Sequence, residues 1–260
     1  MTSLSTTPLP QNEPLHVYAS TINASEMASQ NLSQYGIVQI HELQTIDTAD
    51  FAKSAQDTLI QVIAALEAKG LEYKHQQEGT TSFTFSDVAS RDRGRLDVRY
   101  NMTQYTQLTN HSLIHSIITS TLGKDYKVAL SGIVYSLAGS VAQAWHRDGP
   151  HLSPNNPTAP THAITCFFPL IDVTEARGSP QFIPSSHHLS DEESNSAEHR
   201  VVQFSPLPPT DVIMFDYRLI HRGMPNTGQD TRPLLYVVYS KPDWNDDINF
   251  GTEFLLPVKS

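Results

Sequence analysis

In the segment Gln143-Ala-Trp-His-Arg-Asp-Gly149 a histidine and an aspartate, His146 and Asp148, stand two residues apart. In an extended chain that spacing sends both side chains to one face, where they can meet a single metal ion. A second histidine, His221, follows the run Asp211-Val-Ile-Met-Phe215, which reads as a strand, so a neighbouring strand of a barrel is placed to deliver a third ligand. Two imidazoles and one carboxylate suit iron(II), occupying one face of an octahedron and leaving three adjacent positions open. A bidentate 2-oxo acid fills two of these and dioxygen the third, and oxidative decarboxylation of the acid then generates an oxidant beside a substrate.

A His-x-Asp pair alone says little in a chain with 12 histidines. Arg232 strengthens it. It lies eleven positions beyond His221, across the turn-forming stretch Gly223-Met-Pro-Asn-Thr-Gly228. This layout reads as a hairpin that returns Arg232 to the level of His221 on the adjacent strand. There its guanidinium can pair bidentately with a distal carboxylate, which specifies 2-oxoglutarate among oxo acids. Thr165 and Phe167 share a side-chain parity and can line the same pocket, with core packing the competing role for Phe167. The locally basic stretch Arg91-Asp-Arg-Gly-Arg-Leu-Asp-Val-Arg99 makes Arg95 or Arg99 a candidate for an anionic or polar group of the substrate. A solvated, salt-bridged turn with Asp92 and Asp97 is the alternative.

These residues need a rigid frame. From Thr48 to Lys69 the apolar positions Leu59, Val62, Ile63 and Leu66 recur at helical spacing, with Thr48 as the start cap and Gly70 as the stop. A second helix is predicted over Ser112 to Leu122, with Asn110 as cap and Gly123 as stop. After Lys124 short runs rich in Val, Ile, Phe and Tyr alternate with Gly, Pro, Asn and Asp clusters: Val128 to Leu137, Ile164 to Leu170, Val212 to Phe215 and Leu234 to Tyr239. They predict a mainly β domain, sandwich or barrel, with the helical first half packed on one face. The polar insertions His151 to His162 and Ser185 to His199 are expected to be loops.

Length and composition set bounds. The chain has 260 residues, 38% of them hydrophobic, enough to bury the core of one domain. Residues 1–15 read as a mobile leader and 16–260 as the domain. A formal charge of −10 disfavours a phosphate-rich partner, so nucleic acid is not expected and an acyl-CoA substrate is disfavoured; a small-molecule substrate is expected. The single cysteine, Cys166, sits in an apolar stretch and reads as a buried structural thiol. With no apolar leader or span, the expectation is a cytoplasmic protein without membrane contact. Oligomeric state is not legible.

Together these residues resemble the phytanoyl-CoA dioxygenase-like branch of the iron and 2-oxoglutarate oxygenases, especially its fungal and bacterial natural-product members. The resemblance spans about Tyr135 to Tyr239. It rests on Ala142-Gln-Ala-Trp-His-Arg-Asp148, on Leu170-Ile-Asp-Val-Thr174 leading to Gly178 and Ile183-Pro-Ser-Ser-His187, and on Asp211-Val-Ile-Met-Phe215 leading to His221, Asn226, Arg232 and Pro233. It implies a double-stranded β-helix core of the jelly-roll or cupin kind, with His146, Asp148 and His221 as iron ligands. It also implies that Arg232 grips the distal carboxylate of 2-oxoglutarate and that Gln143, three residues before the first ligand, contacts the same cosubstrate. His187 is structural in this pattern, and His187 and His188 are not taken as ligands. Retention of Asp148 argues for hydroxylation, desaturation or oxidative ring formation rather than halogenation, on a specialised metabolite or an amino-acid-derived acid. The rival expectations are a non-catalytic jelly-roll binding protein and a zinc hydrolase, the second of which leaves Arg232 and Gln143 without a role.

Overall fold

The computed structural model describes residues 15–43, 49–74, 83–101, 111–153, 155–196 and 199–257. The proposed caps Thr48 and Asn110, and the leader up to Pro14, lie outside them.

Among the described residues, three helices of more than two turns form where apolar residues recur at helical spacing. Helix α1 (Ala24–Tyr35) buries only Ala24, Ala28, Asn31 and Leu32, and ends where the N–H of Gly36 bonds Leu32 C=O at 3.0 Å. Gly36 there has φ +74, a conformation glycine adopts without a Cβ penalty. Helix α2 (Ala49–Ala68) buries Phe51, Ala55, Leu59, Val62 and Leu66 on one stripe. Helix α3 (Ser112–Leu122) buries Ile114, Ile117, Ile118 and Leu122. Each Leu or Ile so buried is worth roughly 1.5–3 kcal/mol. A short helix, α4 (Asp191–Ser196), lies in the segment expected to be loop.

The strands are β1 (His16–Tyr18), β2 (Ile37–His41), β3 (Phe83–Thr84), β4 (Val88–Ser90), β5 (Arg95–Arg99), β6 (Lys127–Ser136), β7 (Ala163–Pro169), β8 (Gln181–Phe182), β9 (Val202–Gln203), β10 (Val212–Asp216), β11 (His221–Arg222) and β12 (Arg232–Ser240). They form a large sheet in the order β1-β2-β10-β7-β12-β6-β5-β4-β3 and a small one in the order β11-β8-β9. Asp211 helps tie β2 to β10: it bonds His41 Nδ1 and Gln39 Nε2 at 2.7 and 2.8 Å.

Strand β12 shows why the central strands read as unbroken apolar runs. Its Leu235, Val237 and Tyr239 pack with the helices, while Leu234, Tyr236 and Val238 face a second cluster holding Phe182 and Val202 of the small sheet. A sheet covered on both faces has no polar side. The two facing sheets are a double-stranded β-helix, mainly β with the helices on the outer face of the large sheet. Cys166 is fully buried in the helix-side cluster, and burial pushes its thiol well above the ordinary range.

The structure corrects the hairpin. His221 and Arg232 are not on adjacent strands: β11 pairs with β8 in the small sheet, whereas β12 lies between β6 and β7 in the large one. The connection crosses between sheets, and buried Asn226 pins the crossing by donating to the carbonyls of Ser136 and Asp230, each at 2.8 Å.

Candidate active site

His146 and Asp148 do not lie on a regular strand. His146 instead forms an isolated antiparallel bridge with His221, through reciprocal backbone bonds of 3.0 and 2.9 Å. The two imidazoles thus come from directly neighbouring chain segments, with ring centroids 4.5 Å apart. One ligand atom from each of His146, Asp148 and His221 falls within 4.8 Å of the others, and Asp148 Oδ1 lies 3.5 Å from His221 Nε2. No other such group of three occurs among the described residues.

Both rings are oriented the same way. His146 Nδ1 bonds Ala144 C=O at 2.9 Å, and His221 Nδ1 bonds Leu219 C=O at 3.0 Å. Each Nδ1–H donor is engaged two residues upstream, which leaves Nε2 as the lone-pair nitrogen for a metal. Burial pulls His221 down to about 4, so its ring is neutral near pH 7, as a ligand must be. Thr165 donates from Oγ1 to Asp148 Oδ2 at 2.9 Å, and Asn249 donates from Nδ2 to Asp148 C=O at 3.0 Å, so side chain and backbone of the candidate carboxylate ligand are both held.

Arg147, between the two ligands, points away from them. Its guanidinium donates to the carbonyls of Ser186, Arg218 and Leu189 and to Ser194 Oγ, which fastens the ligand segment to the region around α4. Arg218 is itself fully buried against Asp216, at 2.8 Å. These anchors were not foreseen; from the sequence an arginine inside a ligand motif carries no mark of its direction.

The triad lies on a cavity of about 460 Å³, within the range of small-molecule sites. Gln143, Thr165, Phe167, Arg95 and Arg232 also line it, and Arg99 does not. At one end Arg95, Ser136 and Arg232 sit side by side on β5, β6 and β12. Ser136 Oγ accepts from Arg95 at 2.5 Å and from Arg232 at 2.6 Å. Arg232 also donates to Gly178 C=O, yet among the described residues its Nε has no partner and no carboxylate lies within ion-pair range. At 1% exposure, burial and the neighbouring Arg95 push it well below the ordinary arginine range. A buried fork of this kind, beside a second buried cation at 3% exposure, lacks an anion.

The remaining candidates are placed as follows. Gln143 accepts from Gly223 N–H at 3.0 Å and donates to Asp92 at 3.0 Å. Phe167 packs edge-on against Phe215 while facing the cavity. Arg99 is exposed, its guanidinium 4.5 Å over the ring of Phe250. His187 and His188 lie ring against ring, tilted by 37°, and bond Ser33 C=O, outside the triad.

The donor set and the orphaned arginine fit iron and a dicarboxylate oxo acid. Comparison with known proteins agrees. Residues 45–234 match the phytanoyl-CoA dioxygenase (PhyH) family. The dioxygenase trt7 of Aspergillus terreus is 26% identical over 133 residues, 49% of this chain and 46% of that protein, so the match spans about half of each. Among solved structures the epimerase SnoN from nogalamycin biosynthesis, in complex with Fe3+, alpha-ketoglutarate and nogalamycin RO, is similar with TM-score 0.60 at 17% identity over 89% of this chain and 95% of that one. EctD from S. alaskensis with bound Fe gives TM-score 0.60 at 19% identity, covering 89% and 83%. The carbocyclase SnoK gives 0.56 at 20%, covering 85% of each chain. At these identities the solved structures speak for the fold, and the family match covers most of the chain. The chain belongs to the phytanoyl-CoA dioxygenase family.

Proposed function

We propose that the protein is a dioxygenase that oxidises a small organic molecule, by hydroxylation, desaturation or oxidative cyclisation, in specialised-metabolite or amino-acid-derived biosynthesis. His146, Asp148 and His221 hold the iron, and Arg232 receives the distal carboxylate of 2-oxoglutarate. Thr165 borders the cosubstrate and braces Asp148, and Gln143 completes the polar wall with its amide held by Asp92 and Gly223. The bound cofactors supply a two-electron oxidant at the metal as 2-oxoglutarate becomes succinate and carbon dioxide. The protein's part is to aim Nε2 of both rings, keep His221 neutral and bury the arginine fork where water competes little for the carboxylate.

One observation carries the reading: a two-histidine, one-carboxylate triad shares one cavity with a buried arginine whose Nε has no partner and which, among the described residues, has no carboxylate beside it. The nogalamycin epimerase and carbocyclase, of similar fold, give a small-molecule substrate its precedent. The test is direct. Anaerobic addition of iron(II) and 2-oxoglutarate is expected to give a weak visible charge-transfer band, and oxygen then to yield succinate. A missing band refutes the reading; a band without succinate makes the protein a non-catalytic binder.

A further inference from the structure

The cavity wall carries a further charged group. Strand β5 turns alternate residues into the cavity, Arg95 toward Arg232 and, two residues on, Asp97. Asp97 is flanked in the sheet by Ala89 and Val134, and the cavity they line also presents the apolar side chains of Leu130, Phe167, Leu234, Val238 and Ile248. Tyr236 on β12 donates its hydroxyl to Asp97 Oδ1 at 2.8 Å. The phenol reaches across β6 only because residue 132 is glycine: a Cβ there would collide with the Tyr236 hydroxyl and ring. The pairing is therefore written into three strands, not left to a flexible surface side chain.

Among the described residues Asp97 Oδ2 has no hydrogen-bond partner and no cation lies within 4.0 Å of the carboxylate. Arg91, which also lines the cavity, spends a donor on Asn249 C=O. Burial drives the Asp97 carboxyl up to about 7, with Tyr236 and Arg91 opposing and Asp148 and Asp246 reinforcing the rise. A carboxylate with one oxygen uncommitted and no contacting cation, facing a cavity, is a recognition group awaiting its counter-ion. A neutral hydroxyl would satisfy the oxygen and leave the charge; an ammonium satisfies both.

We propose that Asp97, positioned by Tyr236, receives a protonated amine of the substrate, so that the substrate is a small amine with an apolar body. This rests on the oxygenase reading for the identity of the cavity and adds its substrate class. The probe pair is n-hexylamine and 1-hexanol, which differ only in the head group. Titration calorimetry with the metal-free protein and with the protein loaded anaerobically with iron(II) and 2-oxoglutarate reads binding; the charge-transfer band reads proximity to the metal. Hexylamine is expected to bind at least about 10-fold tighter than hexanol and to perturb the band. Asp97→Asn is expected to erase that preference while 2-oxoglutarate affinity stays within about 2-fold, which a general loss of fold would not allow. Equal binding of the two probes to the wild-type protein, a comparison that needs no variant, overturns the inference, as does unchanged hexylamine affinity in Asp97→Asn. A protein that forms no band yet prefers hexylamine in calorimetry overturns the oxygenase reading and leaves the amine site standing.

Discussion

Replacing Arg232 by methionine keeps much of the side-chain volume and removes a buried cation whose Nε is unpaired and whose neighbour is another cation. A charge-assisted bidentate pair lost from a dry site weakens 2-oxoglutarate by roughly 3 kcal/mol, about 100-fold in Kd. Ligand stabilisation follows mass action, so the wild-type protein at a 2-oxoglutarate concentration of about 100 Kd gains ~2.7 kcal/mol. In a chain of 260 residues that is a rise in Tm of roughly 5–11 °C. The variant at the same concentration sits near its own Kd, gains ~0.4 kcal/mol and rises by no more than about 2 °C. Without ligand its Tm is expected not to fall, because the charge removed had no carboxylate to compensate it. Anaerobic differential scanning fluorimetry of the iron(II)-loaded protein, with and without 2-oxoglutarate, measures both quantities. A variant that keeps the full ligand-induced shift would show that the anion is held elsewhere.

Other residues give equally direct outcomes. Asp148→Ala deletes one of the three proposed metal ligands and is expected to abolish succinate formation, checked by chromatography of the oxygenated reaction, and to weaken iron binding at least about 10-fold by metal titration. Gly178 has φ +77, and a Cβ there would strike the Met224 and Pro225 carbonyls. Gly178→Ala is thus expected to cost about 1–3 kcal/mol in chemical denaturation and, by moving the carbonyl that accepts from Arg232, to raise the KM for 2-oxoglutarate. For Asp97 the folded carboxyl at about 7 lies above an unfolded value near 3.9, so the folded state binds the extra proton between those limits. Stability contributed by this group therefore falls as pH rises from about 4 to 7 and stays lost above. Asp97→Asn is expected to become progressively more stable than the metal-free wild type over that window, by roughly 2 kcal/mol after allowing for water in the cavity, in urea denaturation at pH 5 and pH 8.

What the chain's own pattern settled is local. Helical spacing in Leu59, Val62 and Leu66 and in Ile114, Ile117 and Ile118 marks α2 and α3, because a repeat of 3.6 residues is carried by neighbours in sequence. The strand runs and the candidate ligands His146, Asp148 and His221 were legible for the same reason. Helix α1 was not, since its buried stripe is made of two alanines, an asparagine and one leucine, too little hydrophobic contrast to register. Strand β5 reads as a charged segment because its Arg95, Asp97 and Arg99 mask the core residues Leu96 and Val98. Which strands are neighbours was decided only by tertiary structure: a turn-rich stretch between His221 and Arg232 fits a hairpin as well as a crossing between sheets, and the choice depends on partners such as Ser136, 90 positions from Asn226. Likewise Arg95 meets Arg232, and Asp97 meets Tyr236 over the gap left by Gly132, across separations of more than 130 residues, where no periodicity reaches and only sheet register brings side chains together.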